Sequence, residues 1–179
     1  MAYLDDEPEF ELAFDNTYST SGTSLTIKGM KNATGQKLKG GDFTFNILDL
    51  DGSLVESGHN RMNGLIALGL TFEAVGTYDY IIVEDQTNPK AGWIYDKTEY
   101  SLRVVVEDNR YGQLVVSMVY LDDIQIDNIT SSNDIEFIAM LTDALVFNNA
   151  YTPADGSIEL EAFKTAVGRA LKDEEFNFI

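Results

Sequence analysis

The sequence predicts an all-β fold of the sandwich type, assembled from many short strands, and three observations lead there. Apolar and polar residues alternate over short runs along most of the chain. Turn signals such as Asp51-Gly52, Asn63-Gly64 and the stretch Asn109 to Gly112 separate those runs. No stretch holds a sustained helical period, and only Phe137 to Leu145 is open to either a strand or a helix.

In chain order, Leu25, Ile27, Gly29 and Lys31 fall on one face of a first strand, with Thr26, Lys28 and Met30 on the other. Lys31 therefore lies in an apolar file. Asn32 to Gly41 is a basic, glycine-containing connection, after which Phe43, Phe45 and Ile47 alternate with Thr44 and Asn46 in a second strand. Asp51-Gly52 between Leu50 and Leu54 signals a hairpin, and Leu54 to Phe72 reads as two or three short strands broken at Gly58, Asn63-Gly64 and Gly69. From Gly76 to Glu84, residues Tyr78, Tyr80, Ile82 and Glu84 share a face, so a charge again ends an apolar file. The loop at 85–92 leads to Trp93-Ile94-Tyr95-Asp96, and Tyr100, Leu102, Val104 and Val106 mark a further strand that pairs with Leu114 to Leu121. A polar loop, Asp122 to Asp134, precedes an apolar stretch from Ile135 whose last part aligns Leu145, Phe147, Asn149 and Tyr151.

A repeat sets the boundaries. Ser24 to Asn46 recurs without gaps as Ser157 to Ile179: Lys31 falls on Lys164, Gly35 on Gly168, Leu38 on Leu171, Phe43 on Phe176 and Phe45 on Phe178, each 133 positions apart (164 minus 31). The pair Phe14-Asp15-Asn16-Thr17-Tyr18 and Phe147-Asn148-Asn149-Ala150-Tyr151 keeps that offset. Two landmarks at one spacing indicate a tandem array. Residues 1–18 then read as the tail of a preceding unit, 19–24 as a linker, 25–151 as one complete domain, 152–157 as a second linker and 158–179 as the first strands of a following unit.

With 44% apolar residues, 14 glycines and three prolines, the chain can bury one substantial core. A formal net charge of -18 argues against nucleic acid or anionic lipid as partners, since both need a basic surface. Without cysteine there is neither a disulfide nor a thiolate metal site. There is no apolar run of membrane-spanning length and no basic-then-apolar leader, so the chain reads as a piece cut from something longer.

Lys31, Glu84 and Asn149 are thus three polar residues placed in apolar files of the first, a middle and the last strand. Isolated buried charges are costly, so a lysine and a glutamate in such places need each other or a shift to neutral forms. A plain buried ion pair, or side chains reaching out at the sheet ends, would satisfy the pattern as well.

The segments KNATGQKLKGGDFTF, GTYDYIIVE, YDKTEYSLRVVVED and FNNAY resemble, in order and spacing, the isopeptide-linkage domains of Gram-positive backbone pilins of the T-antigen type and of tandem surface-protein repeats. The similarity runs from Leu25 to Tyr151. It implies an Ig-like, pilin-type antiparallel β-sandwich and an intramolecular amide bond formed without an external enzyme. By motif the nucleophile matches Lys31, the acceptor Asn149, and the assisting acid and proton shuttle Glu84; Asn148 alternates to the other face.

The residue types suit that chemistry. Burial lowers the lysine pKa and raises that of the glutamic acid, which can then be protonated and hydrogen-bond the asparagine carbonyl. The carboxyl group can pass a proton from the amine to the departing ammonia, and the folded core supplies the effective molarity. The bond would close a loop of 118 residues (149 minus 31). By the chain-entropy treatment used for disulfides this stabilises by roughly 4 to 5 kcal/mol. The expected role is a tensile structural module of a cell-wall-anchored surface protein, turning over once, with neighbouring units of the same polypeptide as partners and neither cofactor nor metal.

In the flanks, Asn16 and Lys164 lack their own glutamate strand, so neither is expected to be crosslinked, and 157–179 would be a strand pair seeking an edge. The main rival function is an adhesive module presenting Asp85 to Gly92 or Asp122 to Asp134 to a host-surface protein or glycan. A glycosidase on Glu73, Asp79 or Glu84 needs two carboxylates across a cleft, for which a sandwich repeat offers no evident place. His59 reads as a loop residue, Asp49-x-Asp51-Gly52 as a hairpin rather than a calcium loop, and Trp93 with Tyr95 as packing rather than a sugar platform.

Overall fold

Two six-stranded sheets face each other across the core, in a computed structural model that describes residues 14–131, 136–156, 158–159, 161, 163–165 and 167–173. The strands are β1 (Thr23–Thr34), β2 (Thr44–Leu48), β3 (Leu54–His59), β4 (Leu65–Phe72), β5 (Gly76–Glu84), β6 (Trp93–Ile94), β7 (Tyr100–Asp108), β8 (Leu114–Leu121), β9 (Ile124–Gln125), β10 (Ile129–Ser131), β11 (Glu136–Met140) and β12 (Val146–Tyr151). Among the described residues there is no helix. The all-β sandwich is as the alternation requires.

One sheet runs β3-β2-β5-β7-β8-β9 and is antiparallel throughout. The other runs β10-β11-β1-β12-β6, with β4 on the free side of β1, and it is mixed. Strand β1 pairs antiparallel with β4 but parallel with β11 through its first half and with β12 through its second. First and last strands of the unit thereby lie side by side, Lys31 opposite Phe147 and Ala33 opposite Asn149. On the outer face the Asn32 amide donates to Asn148 Oδ1 at 3.0 Å and pins that register.

The core lies between the sheets and is filled from the faces that alternation marked. Leu25 and Ile27 of β1, Phe45 and Ile47 of β2, Ile82 of β5, Leu102 and Val104 of β7 and Phe147 of β12 are all buried. Each such side chain contributes about 1.5 to 3 kcal/mol of transfer free energy, so this inner surface dominates the stability of the domain.

Between Leu54 and Phe72 the chain makes two strands, and only Asn63-Gly64 breaks it. Gly58 and Gly69 lie inside β3 and β4, where ladder partners hold a glycine in strand form. Gly58 is needed for a different reason: a Cβ there would lie 2.9 Å from the Ala67 carbonyl oxygen, so the glycine lets β3 pass close over β4. The ambiguous stretch 137–145 is strand to Met140 and a turn beyond. His59 ends β3 instead of lying in a loop, and its Nδ1 meets the Thr44 hydroxyl at 3.1 Å. The polar loop after β8 carries two short strands, β9 and β10, that its composition concealed.

Candidate functional site

Lys31 reaches the core because β1 places every second side chain inward, and position 31 continues the file of Leu25, Ile27 and Gly29. Its backbone is held from outside the sheet: the Lys31 N–H donates to the Gly64 carbonyl at 2.7 Å. Gly64 has φ +85°, and a Cβ on it would run into the Lys31 carbonyl oxygen. The turn Arg61 to Gly64 therefore clamps β1 at the lysine itself. Asn149 faces inward from the neighbouring β12, and Glu84 descends from the end of β5 in the opposite sheet, in register with Phe45.

The three side chains meet. Lys31 Nζ donates to Glu84 Oε2 at 2.9 Å, and Asn149 Nδ2 donates to Glu84 Oε1 at 2.7 Å. Residue exposures of 1%, 3% and 2% for Lys31, Glu84 and Asn149 remove them from water. Phe43, Phe45 and Phe147 wall the amine, their ring centroids 4.8, 5.8 and 6.0 Å from Nζ. Burial holds the Lys31 ammonium below its usual pKa, against the opposing bond to Glu84. Burial likewise pushes the Glu84 carboxyl up, against the pull of Lys31 and Asn149. Both shifts favour an uncharged amine beside an uncharged acid.

The asparagine carbonyl has a partner that sequence reasoning missed. Asn149 Oδ1 accepts from the backbone N–H of Asp96 at 2.7 Å. Because a backbone N–H can only donate, it takes the carbonyl oxygen and turns the amide nitrogen toward Glu84. The acid thus bridges the two nitrogens, where a bond from the acid to the carbonyl was expected. Asp96 is itself held by its carboxylate, which accepts from the Asn148 N–H at 2.7 Å and from the Thr98 N–H and hydroxyl at 2.9 and 2.6 Å. The Asp-x-Thr turn was readable; its aim at Asn149 was not. A second missed residue, buried Asn60, accepts from the Phe43 N–H at 2.8 Å and donates to the Lys39 carbonyl at 2.9 Å, fixing the loop that delivers Phe43.

The other sequence candidates lie elsewhere. Asp49 caps its hairpin through the Asp51 and Ser53 N–H groups at 3.0 and 2.8 Å. Asp79 pairs with Arg103 at 2.7 Å toward solvent, and Glu73 lies beside Gly22. Trp93 stacks edge-on against Phe43 at 4.9 Å and Tyr95 does so at 5.4 Å, which accounts for both as packing. No three histidine, aspartate or glutamate side chains gather as a metal site among the described residues. Asn16 and Lys164 lie in segments that form no strand among the described residues. Described residues from Ile158 to Asp173 form no strand, with Ile158, Phe163 and Val167 exposed; Ser157, Phe176 and Phe178 of the repeat lie outside the described residues.

Fold and site together place the chain among β-sandwich domains built around a buried lysine, carboxyl and amide. Residues 27–152 match the family model FctA, described as the Spy0128-like isopeptide containing domain, and the chain belongs to that family. Among solved structures it is similar to the major pilin of Streptococcus pyogenes, at 16% identity and TM-score 0.40 over 74% of this chain and 51% of that one. It is also similar to the T-13 major pilin of Streptococcus pyogenes serotype GAS131465, at 14% and 0.41 over 74% and 55%. A third likeness is to BcpA*(D312A), the major pilin subunit of Bacillus cereus, at 16% and 0.36 over 71% and 29%. The chain therefore spans about half or less of the length of these proteins. No curated protein sequence matches it.

Proposed function

We propose that this domain is a structural module of a Gram-positive cell-surface pilus or adhesin stalk, locked by an isopeptide bond that it forms between Lys31 and Asn149 with Glu84 as proton shuttle. The observation that carries the reading is Glu84 bridging the Lys31 amine and the Asn149 amide nitrogen inside a dry aromatic cage.

In the reaction the uncharged amine of Lys31 attacks Cγ of Asn149, and charge develops on Oδ1, where the Asp96 N–H already donates. Glu84 takes a proton from the amine at Oε2 and delivers one from Oε1 to Nδ2, which leaves as ammonia. The amine nitrogen ends with one hydrogen fewer and the departing nitrogen with one more, so the products are a secondary amide and one ammonia. Glu84 is returned unchanged. Because both reactants belong to one folded core, a sluggish amide exchange proceeds as a unimolecular step, once per chain.

The unit that carries this bond is residues 25–151, with 1–18 and 158–179 belonging to its neighbours in an extracellular, wall-anchored array. The intact mass tests the proposal. Wild-type protein is expected to be lighter than its sequence by one ammonia, and Lys31→Ala, Asn149→Ala and Glu84→Ala to carry full mass; full mass in the wild type would overturn it.

A further inference from the structure

The segment ahead of β1 makes contacts that a simple tether does not require. The Tyr18 hydroxyl donates to Asp108 Oδ1 and accepts from the Gly112 N–H, each at 2.9 Å. Three residues on, Ser21 forms a parallel bridge with Gln113: the Ser21 N–H donates to the Gly112 carbonyl at 2.9 Å, and the Leu114 N–H donates to the Ser21 carbonyl at 3.0 Å. Residues 18 and 21 thus grip the turn between β7 and β8 from one side. Ordering a chain segment costs conformational entropy, so four bonds converging on one turn mark a built contact.

Tyr18 is nonetheless only half satisfied. Its hydroxyl is engaged while the residue is 59% exposed. Its repeat counterpart Tyr151, 133 positions on (151 minus 18), shows the complement. The Tyr151 ring packs on Trp93 at 5.3 Å and the next residue, Thr152, donates its N–H to the Gly92 carbonyl at 2.7 Å. The Tyr151 hydroxyl has no hydrogen-bond partner among the described residues. One tyrosine has its polar end held and the other its apolar ring.

We infer that the tyrosine closing each unit is a joint between neighbours. Its ring packs into its own domain as Tyr151 does, and its hydroxyl bolts to the β7–β8 turn of the following domain as Tyr18 does. The partner is a second copy of this domain type, joined head to tail; the inference rests on the tandem-repeat reading but not on the isopeptide bond. Only residues 19–22 separate Tyr18 from β1, a span of at most about 14 Å, so the two domains abut. The preceding domain then covers Tyr111, which stands 91% exposed beside Gly112.

Two measurements test the joint. In the present chain, Tyr18→Phe removes the acceptor of the Gly112 N–H, and amide exchange at Gly112 is expected to quicken about fivefold to tenfold while Lys31 and Leu145 exchange as before. Unchanged exchange at Gly112 overturns the inference. In a polypeptide carrying residues 19–151 twice in succession, residual dipolar couplings are expected to report one fixed orientation between the copies, lost when the inner Tyr151 becomes Phe. Two folded copies that reorient independently overturn the joint and leave the repeat reading standing, whereas a second copy that fails to fold overturns the repeat reading. Intact mass reports the crosslink separately in each sample.

Discussion

At residue scale the proposed chemistry depends on placing the side-chain nitrogen and oxygen of Asn149 against different partners, and those partners make different predictions. Asp96→Pro removes the N–H that faces Asn149 Oδ1. Loss of one such donor typically slows reaction by about 10²- to 10³-fold, so freshly purified variant is expected to hold full-mass protein that loses ammonia slowly. Asp96→Asn keeps the N–H and is expected to react far faster; equal rates in the two variants would remove the N–H from the mechanism. Lys31→Met isolates Glu84. Burial already raises its carboxyl above 4.5, and the lysine contacts that oppose the rise are then gone. The folded state binds that proton more tightly than the unfolded one, so the contribution to stability is present below about 4.5 and is lost as pH rises through the raised folded value. Urea unfolding of Lys31→Met across pH 4 to 8 is expected to show this fall, and Glu84→Gln in the same background to abolish it. Lys31, Glu84 and Asn149 were legible because a period of two makes a polar residue in an apolar file conspicuous. Asp96 was not, because it contributes a main-chain N–H, which every residue but proline possesses.

For the elements, the alternation that gives each strand its inward face also decides which side chains meet, and so β1, β5 and β12 could be read with their faces correct. Direction could not be read. Periodicity is the same whichever way a strand runs, so the parallel pairing of β1 with β11 and β12 had no signature. Glycine alone does not mark a break: Gly58 and Gly69 sit in ladders, while Gly64 is a true turn. Short β9 and β10 escaped because two or three residues carry too little pattern to register. The turn at Gly64 connects local geometry to the site, since it holds the Lys31 backbone through a 2.7 Å bond. Gly64→Ala meets both an unfavourable positive φ and the Lys31 carbonyl oxygen, and is expected to destabilise the domain by about 1 to 3 kcal/mol in denaturant titrations. If its cost is instead within a few tenths of that of an exposed loop substitution, the turn does not clamp β1.

Across the whole molecule, the crosslink would close all but the first and last strands of the unit into a loop. Asn149→Ala, which keeps Lys31 and Glu84 but cannot form the bond, is expected to lose at least about 4 kcal/mol, a fall in Tm on the order of 10 to 20 °C. A Tm within a few degrees of wild type would show that the bond adds nothing beyond the packed core. The charge of -18 and the absence of cysteine suit a module that stays soluble and is indifferent to reductants. The parallel neighbours β1 and β12 carry one more consequence. When the chain is pulled from both sides of the domain, β1 is drawn from Thr23, at its beginning, and β12 from Tyr151, at its end. Because the two strands point the same way, these forces slide one along the other in shear, straining the whole row of bonds from Met30 to Thr34 at once instead of unzipping them in turn. Forced opening is governed by the unfolding rate, and a row that must break together opens slowly. Ten strands, β2 to β11, stay outside the path of the load.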